Sequence, residues 1–341
     1  MKRIKEFERT GWTVRAVATV TALCSVVCLW TGCSDGEKQG IGASYPPLVI
    51  STDVPGASSR PTAEIGDIQG TEATQAPQSE MPVIDNNDYT FSGKAYCIAD
   101  ASTGVVLMSE NADTQTYIAS ITKLLTALTA LDYFKPEDRI TVKDEWLDLM
   151  RKDKDIDGYG IKGGETYSVD DYLKMLIIKS YGDVALVLQY ATAETAGKDF
   201  IVLMNEKAAS FGMKNSHFDN PIGLDIGNNF AENYSTAEDV VKLTAEAYKN
   251  QTVFEICCLR SGTLENGKVL KSTVPIYGDD YINDDFTVLG GKTGSTEASG
   301  VSFTCVGADS DTEHKYIIVY LNGKSTTKMY DEISAMFAEI C

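Results

Sequence analysis

The sequence predicts an α+β domain: an antiparallel sheet flanked by helices, with an inserted helical lobe. Three observations carry this expectation. Strand-like runs open the globular part, from Lys94 to Asp100 and from Val105 to Ser109, and three more begin at or after Lys292. Between these groups lie stretches whose apolar residues recur at helical spacing. Helices enclosed by strands, rather than alternating with them one by one, are gathered into their own part of a domain.

The chain begins with a segment holding Lys2, Arg3, Lys5, Arg9 and Arg15, followed by an apolar run from Ala16 to Trp30. That run falls short of the ~20 residues a spanning helix needs, so residues 1–32 read as a cleavable export signal. Its end, Leu29-Trp30-Thr31-Gly32-Cys33-Ser34, resembles a bacterial lipoprotein processing site with Cys33 as the acylated residue. Trp30 stands where that pattern usually has leucine, here displaced to Leu29, so an ordinary signal peptide or an uncleaved anchor stays open. Residues 33–88, headed by Cys33, are rich in Ser, Thr, Pro, Gly and Ala and too poor in apolar side chains to form a core. They read as a flexible tether, with a root-mean-square reach of roughly 40 Å. The remaining 253 residues, 89–341, suffice for one large domain.

Within that domain Ala101-Ser102-Thr103-Gly104 joins the first two strands as a hairpin. A helix from Ser120 places Ile121, Leu124, Leu125, Leu128 and Leu131 at helical spacing, and Ala127 and Ala130 fill most of the rest of its circumference, which predicts burial on most sides. Ser168-Val169-Asp170-Asp171 resembles a capping box opening a helix through Leu173, Leu176 and Ile177. Further helices are expected from Val184 to Thr192 and from Lys198 to Phe211, the latter stopped by Gly212. After a loop, Ser235-Thr236-Ala237-Glu238 opens a helix to about Tyr248. Strands at Lys292, Val301–Val306 and Lys315–Leu321 precede a closing helix from Lys328 to Ile340.

Composition excludes several function classes. The formal charge of −19 becomes −22 without residues 1–32, which carry five Lys or Arg and two Glu. So acidic a surface argues against nucleic acid or anionic lipid as a direct partner. Beyond residue 33 the cysteines are Cys97, Cys257, Cys258, Cys305 and Cys341, an odd set without metal-type spacing or a disulfide framework. Cys97 and Cys305 fall in strand-like runs and are expected in the core. Only His217 and His314 occur, leaving little material for a histidine metal site or a Ser-His-Asp triad. His217 reads as structural and His314, in a polar turn, as exposed. No metal or cofactor is expected.

The stretch Ala119-Ser120-Ile121-Thr122-Lys123 puts a hydroxyl and an amine three residues apart at the start of the apolar helix, on one face. A serine needs a neighbour to take its proton, and an ordinary lysine is already protonated. Burial and the positive end of the helix dipole both disfavour the ammonium form, so Lys123 can serve as a neutral base. In isolation Ser-x-x-Lys reads first as a capping serine beside a lysine with its stem on apolar surface. Its weight comes from Lys292-Thr293-Gly294 downstream, ahead of the strand-like Gly300–Val306.

Ser-x-x-Lys followed by Lys-Thr-Gly on a strand is the signature of the penicillin-recognising serine enzymes. The surrounding text resembles the D-alanyl-D-alanine carboxypeptidases among low-molecular-mass penicillin-binding proteins. The stretches that carry it are Tyr117–Lys123, Gly163–Tyr167, Met204–Ala208, Gly212–Phe218, Asn220–Leu224, Tyr234–Thr236 and Gly291–Thr296. The resemblance spans Tyr89 to the end and implies the same α+β fold, the β-lactamase-like one. It implies that Ser120 attacks the penultimate carbonyl of a peptidoglycan stem peptide ending in D-Ala-D-Ala, after losing its proton to Lys123. Ser180 would help pass a proton to the departing D-alanine, and water would hydrolyse the acyl-enzyme. Lys292 and Thr293, with Gly294 and Ser295 beside them, would bind the terminal carboxylate, and the amides of Ser120 and Ser295 would form the oxyanion hole. β-Lactams would be covalent inhibitors and the location extracytoplasmic, on the cell membrane through lipid at Cys33. The chain ends 47 residues past Gly294, so anchoring is expected at the N-terminus rather than through a C-terminal domain and helix.

One family element departs. Between the two motifs the family carries Ser-x-Asn, whose asparagine bonds the substrate carbonyl and the catalytic lysine; here the stretch is Ser180-Tyr181-Gly182. Losing one such hydrogen bond is worth roughly 1.5–3 kcal/mol, which predicts a slower enzyme more readily than a dead one. Tyr281-Ile282-Asn283 mimics the missing pattern but lies too close to Lys292 to be its equivalent. A weakly active or inactive peptidoglycan-binding lipoprotein therefore stays open. So does a class A β-lactamase, although the glutamate it would need is absent between Lys207 and Ala231.

Overall fold

The computed structural model describes residues 91–150, 156–224, 233–274, 286–312 and 314–340. The expected export segment, Cys33 and the tether lie outside the described residues, as does Tyr281-Ile282-Asn283. Strands β1 (Ala95–Asp100) and β2 (Val106–Glu110) form the expected hairpin. A short β3 (Thr116–Tyr117) leads into a 3₁₀ turn, Ala119–Ile121, and then α1 (Thr122–Ala130). The lobe follows: β4 (Arg139–Thr141), α2 (Asp144–Met150), β5 (Thr166–Ser168), α3 (Val169–Ile178), α4 (Gly182–Ala196), α5 (Phe200–Ser210) and β6 (Tyr234–Ser235). Helices α6 (Ala237–Lys249) and α7 (Gln251–Cys257) and the hairpin β7 (Ser261–Thr263) and β8 (Val269–Lys271) return the chain to the sheet. It closes with β9 (Phe286–Thr296), β10 (Gly300–Asp309), β11 (Lys315–Gly323) and α8 (Thr326–Ile340).

The five long strands make one antiparallel sheet in the order β2-β1-β11-β10-β9, so the expected α+β fold is found. Every residue of β1 is buried, because both faces of the sheet are covered. Alternate side chains divide between two cores. Cys97 and Ala99 join α1, α3 and α6 through Leu125, Leu176 and Val240, while Tyr96 and Ile98 join Tyr330, Ile333 and Phe337 of α8. At roughly 1.5–3 kcal/mol for each large apolar side chain removed from water, these two layers supply the main stabilising term.

Local differences from the sequence expectations have local causes. The helix placed at Ser120 begins at Thr122, because Ala119 takes a left-handed φ of 46° and the backbone winds as a 3₁₀ turn first. All nine residues of α1 are nevertheless buried. Ser168 caps α3 as expected, accepting the Asp171 amide at 3.2 Å. The cap of α6 is Thr236, which accepts the Asp239 amide at 3.2 Å; Ser235 belongs to β6 instead. Helix α5 starts at Phe200 behind an Asp199 cap, and Gly212, at φ 77°, follows its end. Elements α2, α7 and the β7-β8 hairpin carried no strong periodic signal.

Candidate active site

The 3₁₀ turn, the start of α1, the connection between α3 and α4, the stretch around Ile222, Thr273 and β9 converge on a cleft of about 280 Å³. Its lining includes Ser120, Lys123, Ser180, Thr293, Gly294 and Ser295, which were named from the sequence. Half-buried Ser120 accepts a hydrogen bond from Lys123 Nζ at 2.8 Å. That amine is 1% exposed and also donates to the Ile222 carbonyl at 2.7 Å. Burial first, and then the charge of Lys292, pull the Lys123 pKa well below the ordinary lysine value, against an opposing pull from Asp157.

The acceptor at Ile222 is built from asparagines. Asn233 Oδ1 accepts the amides of Asp219 (2.8 Å) and Asn220 (3.1 Å), and its Nδ2 donates to the Asn220 carbonyl at 2.9 Å. Asn220 Oδ1 in turn accepts the amides of Ile222 (3.1 Å) and Gly223 (2.8 Å), a side-chain-closed turn. Thr126 of α1 donates to the Pro221 carbonyl at 2.7 Å. The stretch Asn220–Leu224, which carried only resemblance in the sequence, thus aims one carbonyl at Lys123.

Lys292 sits on β9 opposite Thr304 of β10, fully buried. It donates to Ser180 Oγ at 2.9 Å and to the Thr293 carbonyl at 2.8 Å. Burial lowers its pKa to about 7, opposed by Cys257. Ser180 stands between α3 and α4 at a left-handed φ of 62°, a conformation that costs a non-glycine residue free energy and turns its hydroxyl to the second lysine. Thr293 Oγ1 meets Thr273 Oγ1 at 3.1 Å. Gly294 lets β9 pass against the 3₁₀ turn: a Cβ there would come 2.7 Å from the Ile118 carbonyl and 3.1 Å from the Ser120 amide. The amides of Ser120 and Ser295 therefore belong to adjoining backbone segments.

The departure at Gly182 acquires a reason. Its amide donates to the Asp157 carbonyl at 2.7 Å, and a Cβ on it would lie 2.7 Å from Ile156 Cγ2 and 3.3 Å from that carbonyl. Asp183 holds the approaching segment by accepting the amides of Tyr159 (3.0 Å), Gly160 (2.9 Å) and Ile161 (3.3 Å), along with that of Val184 (2.8 Å). Tyr181 packs edge-on against Tyr159 with centroids 5.9 Å apart. The space of the missing side chain is occupied by the Ile156 and Ile222 methyls and the Asp157 carbonyl, and Asp157 and Lys179 line the cleft beside it. Neither was named from the sequence, since one acid or lysine in a polar stretch carries no spacing signal.

The histidines stand outside the cleft lining. His217 pairs with Asp219 at 2.8 Å, in keeping with a structural role. His314 was expected to be exposed; it is half-buried and pairs with the buried Asp100. Burial would raise the Asp100 carboxyl, but hydrogen bonds from Ser102 and Thr103 outweigh it and bring it to about 2. Cys97 and Cys305 lie in the core as expected.

A serine held by a buried lysine amine, faced by a second buried lysine, is a Ser–Lys arrangement of the acyl-transfer kind. The sequence profile of the D-alanyl-D-alanine carboxypeptidase family, peptidase family S11, matches residues 81–325. The chain belongs to that family of serine peptidases. It is 28% identical over 256 residues to the D-alanyl-D-alanine carboxypeptidase DacB2 of Mycobacterium tuberculosis, covering 74% of this chain and 80% of that one. To the D-alanyl-D-alanine endopeptidase of Pseudomonas aeruginosa it is 32% identical over 177 residues, about half of either chain (50% and 51%). Its fold is that of penicillin-binding protein D2 from Listeria monocytogenes, solved in a cefotaxime-bound form, with a TM-score of 0.61 and 24% identity over 74% of this chain and 98% of that one.

Proposed function

We propose that this protein removes the terminal D-alanine from peptidoglycan stem peptides through an acyl-enzyme on Ser120. The observation that carries the proposal is the 2.8 Å contact between Lys123 Nζ and Ser120 Oγ, made by an amine whose burial favours its neutral form. Lys123 takes the serine proton as Oγ attacks the penultimate carbonyl; the amides of Ser120 and Ser295 receive the developing oxyanion. Ser180, bonded to Lys292 at 2.9 Å, passes a proton to the leaving amine, and water then cleaves the ester. Lys292 and Thr293 hold the free carboxylate of the substrate. A penicillin presents a reactive carbonyl in its β-lactam ring and a carboxylate on the fused ring, in the places of the substrate's carbonyl and carboxylate, so penicillins acylate Ser120.

The family membership and the 1–32, 33–88 and 89–341 division of the sequence support an extracytoplasmic enzyme tethered at the membrane through lipid on Cys33. Among the described residues no helix is long and apolar enough to cross a membrane. The test is intact mass of the purified protein after exposure to benzylpenicillin, beside Ser120→Ala, followed by release of D-alanine from a model peptide. One penicilloyl group absent from the variant, together with D-alanine release, is expected. An adduct without release would favour the weakly active binding-protein alternative, which Gly182 keeps in view, and rapid turnover of the penicillin would favour a β-lactamase.

A further inference from the structure

Lys292 lies buried behind Ser180, and besides Lys123 the charged residues that line the cleft among the described residues are Asp157 and Lys179. They differ in how firmly they are placed. The backbone of Asp157 is fixed by the Gly182 amide at 2.7 Å, and the residues just beyond it are fixed by the Asp183 carboxylate. A carboxylate on a single methylene has little freedom beyond that. It is exposed, lines the cleft, and takes no hydrogen bond or ion pair from any described residue. Lys179, at the end of α3, likewise has no such partner among the described residues, but its charge rides on four rotatable bonds. Of the two charges, the fixed one discriminates between ligands, because it need not be ordered when a ligand arrives.

Given acyl transfer at Ser120 as proposed above, an acyl donor whose free carboxylate rests at Lys292 and Thr293 extends its remainder past Ser120, over the cleft lining that holds Asp157. We infer that Asp157 is a specificity residue: its carboxylate favours acyl donors bearing an ammonium group next to the scissile region and disfavours those bearing a carboxylate there. Where the family carries a neutral amide at position 182, this chain has isoleucine methyls and a main-chain carbonyl, with the Asp157 carboxylate on the cleft lining beside them. Lys123 registers that charge as well, since Asp157 opposes the lowering of its pKa.

Three penicillins share one nucleus and differ at one carbon of the side chain: benzylpenicillin is neutral there, ampicillin carries an amine and carbenicillin a carboxylate. The experiment measures second-order acylation rates of the full-length protein by intact mass, with the ampicillin amine protonated, for wild type, Asp157→Asn and Asp157→Lys. Wild type should take ampicillin about two- to fivefold faster than benzylpenicillin and carbenicillin slower by a similar factor, as suits a partly exposed charge pair. Both ratios should approach one in Asp157→Asn, invert in Asp157→Lys, and shrink with added salt. Equal wild-type rates, a wild-type order led by carbenicillin, or an order untouched in Asp157→Asn would overturn the inference while leaving acylation at Ser120 intact. Absence of any adduct with all three compounds would instead remove acyl transfer itself, and the inference with it. Circular dichroism checks that the variants fold, which exposure of the side chain leads one to expect.

Discussion

Ser120 and Gly182 both line the cleft, yet they are held there by different means. Around Ser120 side chains bond side chains: Lys123 reaches the serine, and Lys292 reaches Ser180 across the site. Around Gly182 the backbone does the holding, with an amide on the Asp157 carbonyl and three more amides on Asp183. The first kind of contact demands particular residue types at fixed spacing and leaves a motif. The second runs through backbone amides whose residue types it leaves free, and it marks the sequence only at their acceptor, Asp183, and at the missing Cβ of position 182.

The contrast can be broken from either side, and the largest effect belongs to the Ser120 side. Lys123→Met should slow formation of the penicilloyl-enzyme by about 10²- to 10⁴-fold, read as a mass time course. A rate within tenfold of wild type would move the base elsewhere. Next comes Lys292, whose pKa near 7 lies below its ordinary value of 10.5. The unfolded chain therefore binds a proton in this window that the folded chain does not, and the cost to stability fades as pH rises. The stability advantage of Lys292→Met over wild type should accordingly shrink by about 2–4 kcal/mol between pH 7 and pH 10 in urea denaturation. A pH-independent difference would mean that Lys292 is not held down.

Restoring the family residue probes the other side. Gly182→Asn should destabilise the fold by about 1–3 kcal/mol through overpacking against Ile156 and should not speed acylation. Faster acylation at unchanged stability would show that the segment yields and that the glycine is only a lost hydrogen bond. The smallest effect sets the scale. Thr236→Ala removes the cap of α6, away from the cleft, and should cost about 1 kcal/mol with acylation unchanged. A larger loss of acylation than of stability would tie α6 to the site.

Much of this candidate site was legible beforehand because the acyl transfer proposed for it constrains residue type. Ser120, Lys123, Lys292 and Thr293 were named from motif order and spacing and Ser180 from the family resemblance; four of them line one cleft, and Lys292 reaches it through its bond to Ser180. The sheet was legible because β1, β10 and β11 are buried on both faces and read as short runs rich in apolar, aromatic and β-branched residues. Helix α6 was misplaced by one residue because Ser235 and Thr236 are both competent caps, and only the backbone decides between them. Asp157 escaped notice for another reason. Its place is set by a segment folding back over α4, a long-range backbone contact with no local periodicity.

The pairing of the sheet also sets a timetable. In register, Tyr96 of β1 lies opposite Tyr320 of β11, so the strand nearest the front of the domain waits for one made more than 200 residues later. At about 5–20 residues per second, synthesis leaves β1 without that neighbour, and without the cover of α8, for roughly 10–45 s. Throughout that interval an apolar strand with one free edge is open to other chains, and a chain interrupted before β11 never closes it. The long-range sheet that makes the finished enzyme rigid therefore makes the nascent one dependent on whatever shields β1 until the final strand arrives.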